Sequence, residues 1–258
     1  MSVVLASAWK PRGELARFSH LVSRLNSVYA SLVISLPPDT EESFENELND
    51  IPNLLTVRTP EWSWGRWLSI HKALKSSASH IHYVDFDRLL RWIDIDPTEW
   101  EQSVQLIRTF DYLVFTRSSS AYATHPKAII ETEAISNRVV SSLISRKIDV
   151  SAGSKGFSRK AAKWIVRNTS PGHALGTDGE WTVGLFFAGF EINTHEVNGL
   201  DWESADRNQD TAASSELQFA EAKIYDQDAS NWQHRVGVAL EVVECAYQAE
   251  NQRKKRQE

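Results

Sequence analysis

Short apolar runs alternate along the first half of the chain with stretches in which apolar residues return every three or four positions. Ser2–Ala6, Ser31–Leu36, Leu54–Arg58, Ile81–Val84 and Tyr112–Thr116 have the length and β-branched or aromatic content of strands. Between them, Glu14–Val28, Glu41–Leu48, Trp67–Ser77 and Pro97 to about Arg108 carry the helical period. Pro97 suits a first helical turn, where its missing N–H removes no bond. This alternation over residues 1–117 predicts an α/β fold with a Rossmann-like, mostly parallel central sheet and helices on both faces. Ligands of such sheets sit beyond the carboxyl ends of the strands. Attention therefore falls on Ser7–Arg12, Pro37–Asp39, Arg58–Gly65, Asp85–Arg88 and Thr116–Ser120.

The second half has a different texture. A helix is expected over Ile129–Ile144, then a loop of small residues at Asp149–Gly153. Phe157–Arg167 reads as a helix with Ser158 as its N-cap, and Asp178–Ala188 as another, followed by a strand over Phe190–Val197. Asn208–Ser215 looks like a mobile polar link. The last helical stretch, Asn231–Ala249, carries Val236, Leu240, Val243 and Tyr247 along one face, with Ser230 as cap.

Composition narrows the classes. With 41% hydrophobic and 24% charged residues the chain is ordinary for a globular protein. The single cysteine, Cys245, leaves no internal disulfide framework and fits core filling in a reducing compartment. A net charge of −6 without a broad basic field argues against a nucleic-acid partner. The run Arg253-Lys254-Lys255-Arg256 reads as a frayed tail. No apolar stretch is long enough to span a bilayer and no signal peptide opens the chain, so a cytoplasmic location is expected. Among 10 tryptophans, Trp62, Trp64 and Trp67 crowd one segment with Gly65, as flat stacking surfaces for sugars and bases do.

The sharpest chemical signal is Asp85-Phe86-Asp87 after the fourth strand. Strand alternation would point both acids the same way, with Phe86 opposite. Two carboxylates that close repel unless a positive charge lies between them. A hard Mg²⁺ or Mn²⁺ ion, completing its shell with phosphate oxygens and water, supplies it. Haloacid-dehalogenase phosphatases also use an aspartate pair. Theirs follows the first strand and leads into threonine or valine, whereas Arg88 and Leu89 follow here and three strands come earlier.

In order and spacing the chain resembles glycosyltransferases of GT-A fold, nearest the family-2-like group with the polyprenyl-phosphate mannose and glucose synthases. The resemblance covers roughly residues 3–200. Val3 to Lys10 resembles the first strand and donor loop, Gly65 the glycine ahead of the metal motif, and Asp85-Phe86-Asp87 the DxD motif itself. Phe115-Thr116-Arg117 resembles the strand-end arginine that meets the donor diphosphate. Asp149–Arg159 resembles the small-residue loop before "GF…SR", and Thr177-Asp178 with Gly189-Phe190-Glu191-Ile192 the late acid, helix and strand. Departures are Ser35-Leu36-Pro37-Pro38-Asp39 where paired acids grip the base and ribose, Thr177 in place of an acid, and Gly184 in place of an arginine.

The resemblance implies a metal-dependent, inverting transfer of a hexose from a GDP- or UDP-sugar to a hydroxyl or phosphate acceptor. Asp178 would be the catalytic base and Asp85 with Asp87 the metal ligands. Ser7, Asp39, Arg66, Asp85 and Arg117 would bind the donor; Gly153, Ser154 and Lys155 would face the acceptor. His195 is a candidate third metal ligand. Residues 1–210 would form the GT-A domain, with a nucleotide-binding half (1–117) and an acceptor half (118–210), and residues 211–258 a C-terminal helical extension with the basic tail. A homodimer is admitted. Two alternatives stay open. A nucleotidyltransferase would share the sheet and acids but wants a glycine-rich basic loop, faintly echoed by Lys10-Pro11-Arg12-Gly13. A non-catalytic relative would bind through the tryptophan-rich surface.

Overall fold

The structure, a computed structural model, describes residues 2–257 and the side chains of residues 2–252. The expected tail at Arg253–Arg256 falls outside the described side chains. The elements run β1 (Val3–Ala8), α1 (Leu15–Val28), β2 (Leu32–Leu36), α2 (Glu42–Asn49), β3 (Leu54–Arg58), α3 (Gly65–Ala73), β4 (His80–Val84), α4 (Phe86–Ile95), α5 (Pro97–Ile107) and β5 (Tyr112–Arg117). They continue with α6 (Ser119–Ala123), α7 (Lys127–Leu143), β6 (Ser154–Ser158), α8 (Arg159–Asn168), α9 (Thr177–Phe187), β7 (Ile192–Val197), α10 (Ser215–Gln227) and α11 (Ala229–Gln257).

The strands form one sheet in the order β3-β2-β1-β4-β6-β5-β7. β6 runs antiparallel to both neighbours, β4 and β5, and the remaining pairs are parallel. Parallel strands need crossover helices, which cover both faces, so the central strands are buried throughout. Alternate residues of β1 feed two cores. Val4 and Ala6 join Ile70, Tyr83, Phe157, Ile165 and Trp181 on one face. Val3 and Leu5 join Phe18, Leu25, Trp92, Trp100 and Ile107 on the other.

Several elements differ from the sequence reading. Residues 154–158 are a strand, although the expected helix opened at Phe157. Its sequence, Ser-Lys-Gly-Phe-Ser, hides the strand because Lys155 is buried against a carboxylate and Gly156 leaves room for Ile107, whose side chain would meet a Cβ at 2.7 Å. Ser158 does cap the helix that follows, accepting the Ala161 N–H at 3.2 Å. Helix α4 starts directly after Asp85, and α10 opens at Ser215, where the supposed polar link ends. In α11 the inward face is Ala239, Val242, Cys245, Ala246 and Ala249, whereas Val236, Leu240 and Tyr247 are exposed. The small residues face the core because α9 crosses closely: a Cβ on Gly179 would lie 2.4 Å from the Val242 carbonyl oxygen. Ser230 lies inside α11, its N–H held by Asp228 Oδ1 at 2.8 Å. No described helix is long and apolar enough to cross a membrane.

Candidate active site

Beyond the carboxyl ends of β1, β2 and β4 lies a cleft of about 600 Å³, within the usual range for small-molecule sites. One wall comes from the segments after these strands, and the other from α7, the loop after β7, and α10–α11. The C-terminal extension is thus a wall of the cleft, and its Val242, Ala246 and Ala249 share a core with the sheet.

The acidic pair lines this cleft, but strand alternation is not the reason. The strand ends at Val84, Asp85 takes the position before α4, and Asp87 sits in that helix's first turn. The Asp85 N–H donates to the Gly153 carbonyl at 3.0 Å, and Gly153 adopts φ +76°. A side chain there would be doubly penalised, because its Cβ would also lie 2.6 Å from Asp85 Oδ2.

Gly65 sets the next layer. A Cβ at Gly65 would stand 3.1 Å from that of Ala8, so glycine lets the start of α3 sit against β1 and brings Arg66 inward. The Arg66 guanidinium donates to both Asp85 oxygens, at 3.0 and 2.8 Å, and lies 2.9 Å from Asp178 Oδ2. Tyr83 adds a hydroxyl bond to Asp85 Oδ1 at 2.7 Å. Lys155 donates to Asp178 Oδ1 and, at 3.0 Å, to the Val150 carbonyl. Burial pushes the Asp178 carboxyl upward, but Arg66 and Lys155 outweigh it and hold the group below the ordinary aspartate range. A carboxylate held this way is a poor proton acceptor.

Asp87 is in the opposite condition. It makes no ion pair among the described residues, and its Oδ1 accepts the Arg88 N–H at 3.0 Å. Burial, with the negative charges of Glu203 and Asp85, pushes its carboxyl up to about 7. Arg88 is shared: it donates to the Ala152 carbonyl at 2.8 Å and reaches Glu203 at 3.3 Å. A hard divalent cation fits this local lack of positive charge. Asp87 is the carboxylate open to it, while the oxygens of Asp85 are already engaged by Arg66 and Tyr83. Among the described residues no three His, Cys, Asp or Glu side chains form a metal-holding group. The rest of a shell would fall to ligand phosphate and water, as is usual for Mg²⁺.

The other expected site residues divide. Ser7 is fully buried and turns its hydroxyl to the Val84 carbonyl, away from the cleft. Asp39 is exposed and outside the cleft lining, where Leu36 and Pro37 stand instead. Arg117 does not reach the cleft. It is buried between Asp149 (2.8 Å) and Glu133 (2.6 Å), with its guanidinium 4.4 Å from the Tyr122 ring centroid. Ser154 bonds buried His82 at 2.8 Å, and burial takes that imidazole down to about 3. Lys155 is committed to Asp178 rather than to an acceptor. His195 is exposed on β7, outside the cleft. Of the three clustered tryptophans, Trp62 lines the cleft and is 53% exposed, whereas Trp67 packs against the core.

The sequence reading missed the cleft residues Glu133, Glu203, Arg207, His234 and Arg235. Glu203 and Arg207 ride on a loop pinned by buried ion pairs: Arg17 to Asp206 (2.8 Å), and Arg91 to Asp201 (2.5 Å) and Asp206 (2.6 Å). Buried arginine at Arg17 and Arg91, each within an apolar helical pattern, is the one signal that could have marked it.

No protein-family model matches the sequence, and a search of curated proteins finds no match. Solved structures do match in fold. A structure described as a mycobacterial protein is 13% identical, with a TM-score of 0.55 over 76% of this chain; the chain spans 65% of that protein's length. Glucosyl-3-phosphoglycerate synthase from Mycobacterium tuberculosis, solved with Mn²⁺, uridine diphosphate and phosphoglyceric acid, is 9% identical. Its TM-score is 0.52, over 92% of this chain and 78% of that one. The fold is of GT-A type, with a mostly parallel seven-stranded sheet flanked by helices.

Proposed function

We propose that the chain is a glycosyltransferase moving a hexose from a nucleoside-diphosphate sugar to the hydroxyl of a small acceptor that carries an anionic group. Asp87 carries the reading. It is a carboxylate short of counter-charge at the end of β4, in a cleft whose rim presents Lys10 and Arg12 without ion-pair partners among the described residues. A nucleoside diphosphate with a divalent cation supplies what both lack. The likeness in fold to an enzyme solved with Mn²⁺, uridine diphosphate and phosphoglyceric acid supports it.

Mg²⁺ or Mn²⁺ would be held by Asp87, with Asp85 behind it, and would supply positive charge against the departing diphosphate. Lys10 and Arg12 would meet the same diphosphate from the β1 side. Trp62 would give its open ring to the base or sugar. Arg66 fixes Asp85 and Asp178 relative to one another, and Gly153 lets the backbone ahead of β6 approach Asp85 closely. Asp178 is then an anchor for Arg66 and Lys155 rather than the base of an inverting reaction.

Calorimetric titration with UDP-glucose, GDP-mannose and UTP, each with and without Mn²⁺, tests the proposal. Metal-dependent binding of an intact sugar nucleotide is expected. Preference for the bare triphosphate would indicate nucleotidyl transfer instead, and failure of all three to bind would end the enzymatic reading.

A further inference from the structure

The geometry points to a second anion site on the C-terminal wall of the cleft, built by Arg207 and His234, which takes the phosphate or carboxylate of the acceptor. The inference rests on the glycosyltransferase reading only for the word acceptor; the site itself stands on the arrangement of charges. Three cleft arginines are spoken for: Arg66 by Asp85 and Asp178, Arg88 by Glu203, and Arg235 by Glu133. Arg207 and His234 line the same cleft and make no hydrogen bond or ion pair with any described side chain. Lys10 and Arg12 are likewise without ion pairs, but they come from the segment after β1. The cleft therefore offers uncommitted basic groups on two walls drawn from opposite ends of the chain. That suits two anionic ligands, or one ligand on each side of a reacting bond.

Shape supports the division. Past Ser204, Arg207, Tyr225 and Asn231 the cleft continues into a recess of about 410 Å³, built entirely from residues between Trp202 and Asn231. Those four residues line both hollows, so an anion at Arg207 would stand at the junction, with the rest of its molecule free to turn toward Asp87 or into the recess. Arg207 follows Asp206, which is fixed by Arg17 and Arg91 and accepts the Ala213 N–H at 2.8 Å. The backbone that carries the guanidinium is thus set in advance, which lowers the ordering cost of binding. A guanidinium can meet a phosphate or carboxylate with two parallel N–H donors, and His234 adds a further donor to the lining of the same cleft. The matching ligand is a small, water-soluble alcohol bearing such a group.

The test uses the full chain with Mn²⁺ and titrates phosphoglyceric acid, inorganic phosphate and uridine diphosphate separately into wild type, Arg207→Gln and His234→Gln. Both positions are exposed, so the variants should melt with wild type. Phosphoglyceric acid should bind wild type and lose at least tenfold in affinity in Arg207→Gln, as expected for one charge-assisted contact. Uridine diphosphate should bind all three within twofold. The inference is overturned if neither phosphoglyceric acid nor phosphate binds wild type, or if the variants bind them as wild type does. It also falls if uridine diphosphate weakens in step, which would assign these groups to the donor. Should uridine diphosphate fail on wild type while the Arg207 effect persists, the anion site stands and the donor reading fails.

Discussion

Asn at position 87 should make the metal-free protein more stable, and only above a definable pH. In a solvated chain an aspartate titrates near 3.8, whereas Asp87 is pushed up to about 7 by burial and by the charges of Glu203 and Asp85. A raised carboxyl value means that the folded state holds its proton longer than the unfolded one. Below about pH 4 both states are protonated and Asp87 has no effect on the balance. Between about pH 4 and 7 the unfolded chain gains by ionising while the folded chain does not, so stability falls with rising pH. Above 7 the full penalty is present and constant. At about 1.4 kcal/mol per pH unit the ceiling is roughly 4 kcal/mol, and water entering the open cleft would reduce it to about 2–4 kcal/mol. Asp87→Asn removes the ionisation and keeps the shape. In EDTA, urea midpoints of wild type and variant should coincide near pH 4, diverge steadily to pH 7 and stay apart at pH 8. Added Mn²⁺ should stabilise wild type, leave the variant where it was, and so narrow the gap. Curves that run parallel from pH 4 to 8, or a variant less stable than wild type at pH 8 without metal, would refute the argument that Asp87 lacks a counter-charge.

Further outcomes follow from the same geometry. Asp178→Asn leaves Arg66 and Lys155 buried with less compensation and should destabilise by about 3–5 kcal/mol at pH 7. The difference should shrink below pH 4, since a lowered carboxyl value gives stability that is lost as pH falls through it. Transfer by its folded fraction should stay within about tenfold of wild type, far from the roughly 10²–10⁴-fold loss of a deleted base. Gly153→Ala forces a side chain into the left-handed region against Asp85, so thermal melts should report a loss of about 1–3 kcal/mol, and calorimetry weaker Mn²⁺-dependent donor binding. Trp62→Ala should leave the melting point unchanged and weaken sugar-nucleotide binding by about tenfold, as loss of one stacking ring does. An unchanged dissociation constant would move the donor off that wall.

The parallel half of the sheet was legible because its physics is local. Residues 3–8, 32–36, 80–84 and 112–117 are almost wholly buried on both faces and therefore written as apolar runs. β3 is the partly exposed case, at the sheet edge, and its Leu-Leu-Thr-Val run still sufficed. β6 failed because its burial is satisfied by partners remote in sequence: Lys155 by Asp178, Ser154 by His82, and Gly156 by the bulk of Ile107. A strand that is polar only until it meets those partners has no period to read. The outward apolar stripe of α11 misled for a related reason. Helical spacing shows that residues share a face, and only the approach of α9, made possible by Gly179, decides which face turns inward.

The site shows the same division more sharply, because motifs name residue types while function depends on how much of each charge remains unmatched. Asp85 and Asp87 look equivalent in sequence, yet Arg66 and Tyr83 occupy the first and, among the described residues, no cation forms an ion pair with the second. Arg117 and Lys155 look like phosphate and acceptor cations, yet Asp149, Glu133 and Asp178 have consumed them. What remains available is Asp87 on one side and Lys10, Arg12, Arg207 and His234 around it, none adjacent in the chain to the acid they would act with. A ligand able to use all of them must be negative at two places and carry a cation between them and Asp87. A metal-bound diphosphate facing a second anionic molecule satisfies that requirement. The pinning of residues 200–213 by Arg17 and Arg91 then has a consequence for the proposed site: it holds Arg207 in place relative to α4, which carries Asp87, and so would set the spacing of the two anions in advance. Weakening it with Asp206→Asn should therefore lower the affinity for both ligands together more than for either alone, a coupling that calorimetry in the presence and absence of the other ligand would measure.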